Sequence, residues 1–216
     1  MKNEHKIGLL VDVETTGLGP DSNEVIELAL KLFSFHEKTG EILDILDKES
    51  MLREPVSQKA LANYDQAYRI HGIPYDLVRG KSFDDKRVRS FFTSSEAVFA
   101  HNASFDRSFL FRMYPEVDLV DWYCTMRGIP WKRYGFLNGK LLTLLKDHDI
   151  TSYQSHRAMD DITNLMELLK KKSPNGNLYL GEIIQKAPMK KCQPAAPKKK
   201  PKYTYFPTTG LDRGFD

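Results

Sequence analysis

Three strand-length apolar runs stand one after another at the start of this chain, joined only by short turns, and few architectures admit that order. In residues 7–13, Ile7, Leu9, Val11 and Val13 share one face. Gly8, Leu10 and Asp12 share the other, which Glu14 continues. The loop GLGPDSNE leads to a second run over 25–35, and HEKTGE turns the chain into a third over 42–53. Such a series predicts an antiparallel meander. Beyond it the texture changes. Helical spacing covers 57–71, with Ser57 as N-cap and Gly72 as stop, and recurs over 83–92, 104–114, 141–146 and 162–172. Residues 97–100 and 117–124 read as short strands between these helices. A meander followed by alternating helix and strand predicts an α/β fold, a mixed sheet flanked by helices.

Composition narrows the setting. The 216 residues suffice for one substantial core. No run of 18 apolar residues suggests a membrane span, and the opening MKNEHKIGLLVD lacks the pattern of a signal peptide. Cys124 and Cys192, far apart, suggest neither a disulfide framework nor a zinc site, so a cytoplasmic location is expected. The 32 Lys and Arg exceed the 29 Asp and Glu by three, but eight of the former and two of the latter lie from Lys186 onward. The preceding 185 residues therefore hold 24 basic and 27 acidic side chains, a body of −3 with a tail of +6. A charge-based case for nucleic-acid binding rests on that tail alone.

Four acids stand at the ends of these elements. Asp12 and Glu14 are two apart on a strand, so they point the same way, separated by ~6.6 Å along the backbone. Asp106, in AHNASFDRSFL, and Asp161, in SHRAMDDI, each fall in the first turn of a helix. Taken singly, each has an ordinary explanation, such as a solvated strand end or a partner for a helix dipole. Together they describe a rim of carboxylates of the kind an open α/β sheet uses to bind ligands. Oxygen donors without cysteine suit Mg²⁺ or Mn²⁺, and four carboxylates would serve two ions flanking a phosphodiester. Acids committed to metal leave the role of general base to a neutral group, and His156, five residues before Asp161, is the candidate.

These stretches resemble the DEDDh 3′→5′ exonucleases, a DnaQ-like family with an RNase H-like fold. DVETTGL, HNASFD and HRAMDD match its three motifs in order, the last selecting Asp161 over Asp160; AHNASFDR with WYCTMR is closest to the exonuclease X-like branch. The resemblance implies a five-stranded mixed sheet with its first three strands antiparallel. It implies two Mg²⁺ or Mn²⁺ ions on Asp12, Glu14, Asp106 and Asp161, with His156 as general base. Thr15 and Leu18 would contact the terminal nucleotides, Asn102 and Phe105 would line the strand's path, and His101 would be a further substrate-binding residue. The expected activity is hydrolysis from nucleic-acid 3′ ends, releasing nucleoside 5′-monophosphates. DNA is favoured, in repair or proofreading; an exoribonuclease, or a subunit active only beside a polymerase, are the alternatives.

Residues 1–177 are thus expected to form the exonuclease domain and 178–185 a short helical extension. Residues 186–216 read as a Lys/Pro-rich tail without fixed structure, ending in Tyr203, Tyr205, Phe206 and Phe215. The tail's charges would aid solubility, tether DNA, or dock a partner protein such as a polymerase.

Overall fold

The computed structural model describes residues 4–192. Strands β1 (His5–Thr15), β2 (Val25–His36) and β3 (Ile42–Leu52) form the expected meander. Helices α1 (Gln58–His71), α2 (Tyr75–Val78) and α3 (Asp85–Thr93) follow, then β4 (Ala97–Ala100), α4 (Ala103–Met113) and β5 (Asp121–Cys124). The chain continues through α5 (Thr125–Gly128), α6 (Leu141–Asp147), α7 (Ala158–Leu169) and α8 (Tyr179–Ile184). The sheet order is β3-β2-β1-β4-β5. β1 pairs antiparallel with β2 and β2 with β3, whereas β4 runs parallel to both β1 and β5. The carboxyl ends of β1, β4 and β5 therefore share one rim.

The period-two pattern of β1 separates two cores. Leu9, Val11 and Val13 join Phe92, Phe109 and Trp122 on one face, while Leu10 joins Phe33, Phe99 and the apolar stripe of α7 on the other. Each fully buried aromatic contributes on the order of 1.5–3 kcal/mol. Asp12 and Glu14 continue the Leu10 face, which directs them toward α7. Helix α8 is held against the β2–β3 turn by two glycines. A Cβ on Gly40, at φ +71°, would lie 2.1 Å from the Gly181 nitrogen, so only bare backbone fits there.

Several element ends differ from the sequence expectation, each for a physical reason. Ser57 caps α1 by accepting from Ala60 N, and Gly72 ends it in the left-handed region, both as expected. The strand expected over 117–124 is confined to Asp121–Cys124, because Pro115–Leu119 forms a 3-10 turn. Proline suits the first position of such a turn, and Trp122 Nε1 donates to the Val117 carbonyl at 2.8 Å, closing it. Helix α3 starts at Asp85, not Phe83, since Asp84 accepts from Arg87 N. Helix α7 starts four residues before the expected Ile162, under a cap supplied by a distant strand.

Residues 186–192 correct the expectation of a free tail beginning at Lys186. Met189 N donates to the Trp122 carbonyl at 2.8 Å, and Lys191 Nζ donates to the Val120 carbonyl and pairs with Asp121. Cys192 N donates to Asp118 at 2.6 Å. This strap covers part of the β5 edge, whose open backbone groups would otherwise invite pairing. Residues 193–216, including the aromatic cluster and most of the Lys-rich stretch, lie outside the described residues. Among the described residues no helix is long and apolar enough to cross a membrane.

Candidate active site

The rim gathers all four acids and the histidine named by their motifs. Asp12 and Glu14 come from the end of β1, Asp106 from the first turn of α4, and Asp161 from the first turn of α7. Asp106 and Asp161 are 2 % and 5 % exposed, close to the burial of a core leucine. Asp106 Oδ1 accepts from Val13 N at 3.2 Å, which stitches α4 to the first strand. Gln154 Nε2 donates to Asp161 Oδ2 at 2.6 Å and orients that carboxylate. Neighbouring Asp160 instead lies exposed and accepts from Ser155 Oγ, so burial distinguishes the two aspartates as the third motif does. Glu14, His156 and Asp161 each offer a ligand atom within 4.8 Å of the others.

The electrostatics of this group are unfavourable to bare charge. Burial, reinforced by repulsion from Asp106, Glu14 and Asp161, pushes the Asp12 carboxyl well above its usual range. Burial and then Asp161 push Glu14 up to about 9, and burial pushes Asp106 up to about 7. Asp161 is raised by burial against the lowering effect of Gln154. Without cations, burial and mutual repulsion favour the protonated forms of this cluster. Asp161 Oδ1 is buried with no hydrogen-bond partner among the described residues. An orphaned carboxylate oxygen amid oxygen donors fits a hard divalent cation such as Mg²⁺ or Mn²⁺.

Beside the acids lies a cleft of about 440 Å³, lined in part by Glu14, Thr15, Leu18, Asn63, His71 and Phe105. Leu18 is 85 % exposed at its mouth, and Phe105 packs at a tilt against Phe109, ring centroids 5.1 Å apart. The Thr15 hydroxyl donates to the Gly17 carbonyl at 2.7 Å, so its proton orders the loop and its oxygen is left to accept. Asn102 takes a left-handed backbone (φ 68°) before α4 without capping it, and its Oδ1 accepts from Ser104 Oγ at 3.5 Å. A larger cleft of about 570 Å³ beside α8 has its acid, Glu182, already engaged by Tyr134 and Ser173.

Both ring nitrogens of His101 have protein partners. A carbonyl only accepts, so Nε2 carries the proton and donates to Gly139 O at 2.8 Å, while Nδ1 faces Thr125 Oγ1 at 3.0 Å. Burial pushes the imidazole down to about 4, so it is neutral and both nitrogens are spent bracing the loop after β5. Sequence reasoning also missed two buried groups at this rim. His71 accepts from Ile73 N through Nδ1, and burial pushes it down to about 4. Glu27, on β2, accepts from Arg157 and from Ala158 N. Neither has a local signature, because the groups that give them meaning are brought near only by the fold.

Known proteins agree with this picture. The family described as Exonuclease (RNase_T) matches residues 9–169. The PolC-type DNA polymerase III of Listeria welshimeri is 32 % identical over 174 residues, covering 74 % of this chain and 11 % of its own length. The Bacillus subtilis PolC-type polymerase is 29 % identical over 194 residues, covering 83 % of this chain and 12 % of its own. The chain thus spans about a tenth of the length of these relatives. Among solved structures, E. coli Exonuclease I in complex with a dT13 oligonucleotide superposes with a TM-score of 0.60 at 16 % identity, over 79 % of this chain and 42 % of that one. A 3′-exonuclease solved for 3′-end recognition of the histone mRNA stem-loop gives 0.56 at 15 %, over 77 % and 80 %. The fold is of the α/β, RNase H-like class, a mixed five-stranded sheet flanked by helices. The chain belongs to the exonuclease family, DnaQ-like hydrolases that use divalent metal ions.

Proposed function

We propose that this chain hydrolyses phosphodiester bonds from the 3′ end of a nucleic-acid strand, DNA in preference to RNA, releasing nucleoside 5′-monophosphates. Asp12, Glu14, Asp106 and Asp161 would hold two divalent cations, Mg²⁺ or Mn²⁺. Cations bound there supply charge stabilisation to the phosphoryl group and acidify water. His156, whose ring reaches within 4.8 Å of the Glu14 and Asp161 oxygens, takes the proton of the attacking water. Leu18 and Phe105 offer apolar surface to the terminal bases, which suits sequence-tolerant binding because every base has a face to stack. The observation that carries this reading is the convergence of four carboxylates, Asp106 and Asp161 buried and Asp12 and Glu14 half-buried, beside an open cleft, with burial and mutual repulsion outweighing the nearby charge of Arg157.

The preference for DNA rests on the PolC-type polymerases among the relatives, which also make a polymerase the favoured protein partner. We place that partner's contact on the basic residues from 186 onward rather than in the cleft. Matched 5′-labelled DNA and RNA strands, single-stranded and with recessed or overhanging ends, test the substrate assignment. DNA should shorten stepwise from its 3′ end in Mg²⁺ or Mn²⁺ and stay intact with chelator. Faster loss of RNA would contradict the preference, and shortening from the other end would contradict the polarity.

A further inference from the structure

Glu27 is a buried carboxylate that no step of the proposed hydrolysis uses. It lies on β2 directly across from Glu14 and is 1 % exposed. Like charges facing each other across a strand pair repel, so this position needs a compensating partner. Arg157 supplies it. Arg157 Nε donates to both Glu27 oxygens at 3.1 Å, and Nη2 donates to Oε1 at 2.7 Å. Oε2 also accepts from Ala158 N at 3.0 Å. Both oxygens are thereby engaged, which leaves Glu27 poorly placed to ligate a cation. Helix α7 has no side-chain cap of its own, and Glu27 satisfies one of its first N–H groups from a strand 131 residues away.

The residue held by this clamp is the one before Arg157. His156 has φ +51°, a left-handed backbone that is uncommon for any residue but glycine. On its other side, Gln154 donates to Asp161 and Ser155 to Asp160, tying the loop back to α7. His156 is thus pinned from both directions, by α7 behind it and by β2 ahead. We propose that Glu27, acting through Arg157, is a positioning residue for His156: it holds the imidazole where it meets Glu14 and Asp161. An offset of about 1 Å in such a group costs on the order of 10²-fold in rate. The inference rests on His156 being the general base.

A double-mutant cycle on the full chain tests it, read as kcat and KM on a single-stranded DNA. Glu27→Gln keeps the side-chain size and breaks the charged fork. It should lower kcat about 10- to 100-fold with KM changed less than about 3-fold. In a His156→Ala background the same change should cost less than about 2-fold, because the group it positions is gone. Arg157→Ala should reproduce both results; its side chain is 41 % exposed, so it serves if Glu27→Gln does not fold. Equal losses in the two backgrounds would overturn the proposal, as would a raised KM at unchanged kcat. A wild-type rate for His156→Ala alone would remove the base assignment and this proposal with it, and that single variant tells the two failures apart.

Discussion

Asp106 and Arg107 are neighbours on one helix, 2 % and 8 % exposed, yet the protein treats their charges in opposite ways. Arg107 turns toward Asp118, 3.3 Å away, and the pair is closed off at the far side of α4, where Cys192 N also donates to Asp118. Asp106 turns toward Asp12 and Glu14, accepts from backbone N–H groups including that of Val13, and forms no salt bridge among the described residues. A buried charge that only stabilises a fold is given its partner by the chain. Asp106, proposed to await a cation, has no such partner among the described residues, and burial raises its proton affinity.

Substitution at the two positions should therefore dissociate activity from stability. Asp106→Asn is expected to lower turnover by at least about 10³-fold, since it removes a proposed cation ligand, while leaving the melting temperature of the metal-free protein unchanged or raised. Arg107→Met leaves Asp118 without its partner and should cost on the order of 3–5 kcal/mol in denaturant unfolding, with turnover of the folded fraction close to wild type. If Asp106→Asn were the less stable variant and Arg107→Met the less active one, the contrast would be reversed. His156→Ala comes next, with an expected loss of about 10²-fold in kcat on single-stranded DNA; a wild-type rate would remove it as the base.

The smallest expected effect is on melting temperature. In the metal-free chain, Glu14, raised to about 9, and Asp106, raised to about 7, hold protons that the unfolded chain releases near pH 4. The folded state then binds more protons than the unfolded one across that window, so its stability falls as pH rises from about 4 toward 9. Divalent cations replace those protons. Mg²⁺ or Mn²⁺ should raise the melting temperature by about 5 °C or more at pH 8.5 and by much less at pH 5.5. A metal effect independent of pH would show that the ions bind elsewhere.

What the sequence made legible follows from how local the signal is. Period-two alternation in β1, the Ser57 cap, the Gly72 stop and the acids at element ends are written within a few residues of where they act. Glu27 and Arg157 are 130 residues apart, and the partners of His101, Thr125 and Gly139, are 24 and 38 residues away, so their roles exist only after folding. The same reason explains the early start of α7, whose cap is Glu27, and the strap over 186–192, whose basic composition resembles free tail but whose Met189 and Lys191 find partners along the β5 edge. The turn at Pro115–Leu119 escaped notice because apolar Val117 reads equally well as strand.

The central claim is that the rim carboxylates hold the cations that drive removal of nucleotides from a 3′ end. It is tested most directly by following a 5′-labelled single-stranded DNA in Mg²⁺ with the wild-type chain and with Asp12→Ala, both verified as folded. The former should give a ladder shortening from the 3′ end, and the latter should leave the strand at full length. An equal ladder from Asp12→Ala would contradict it.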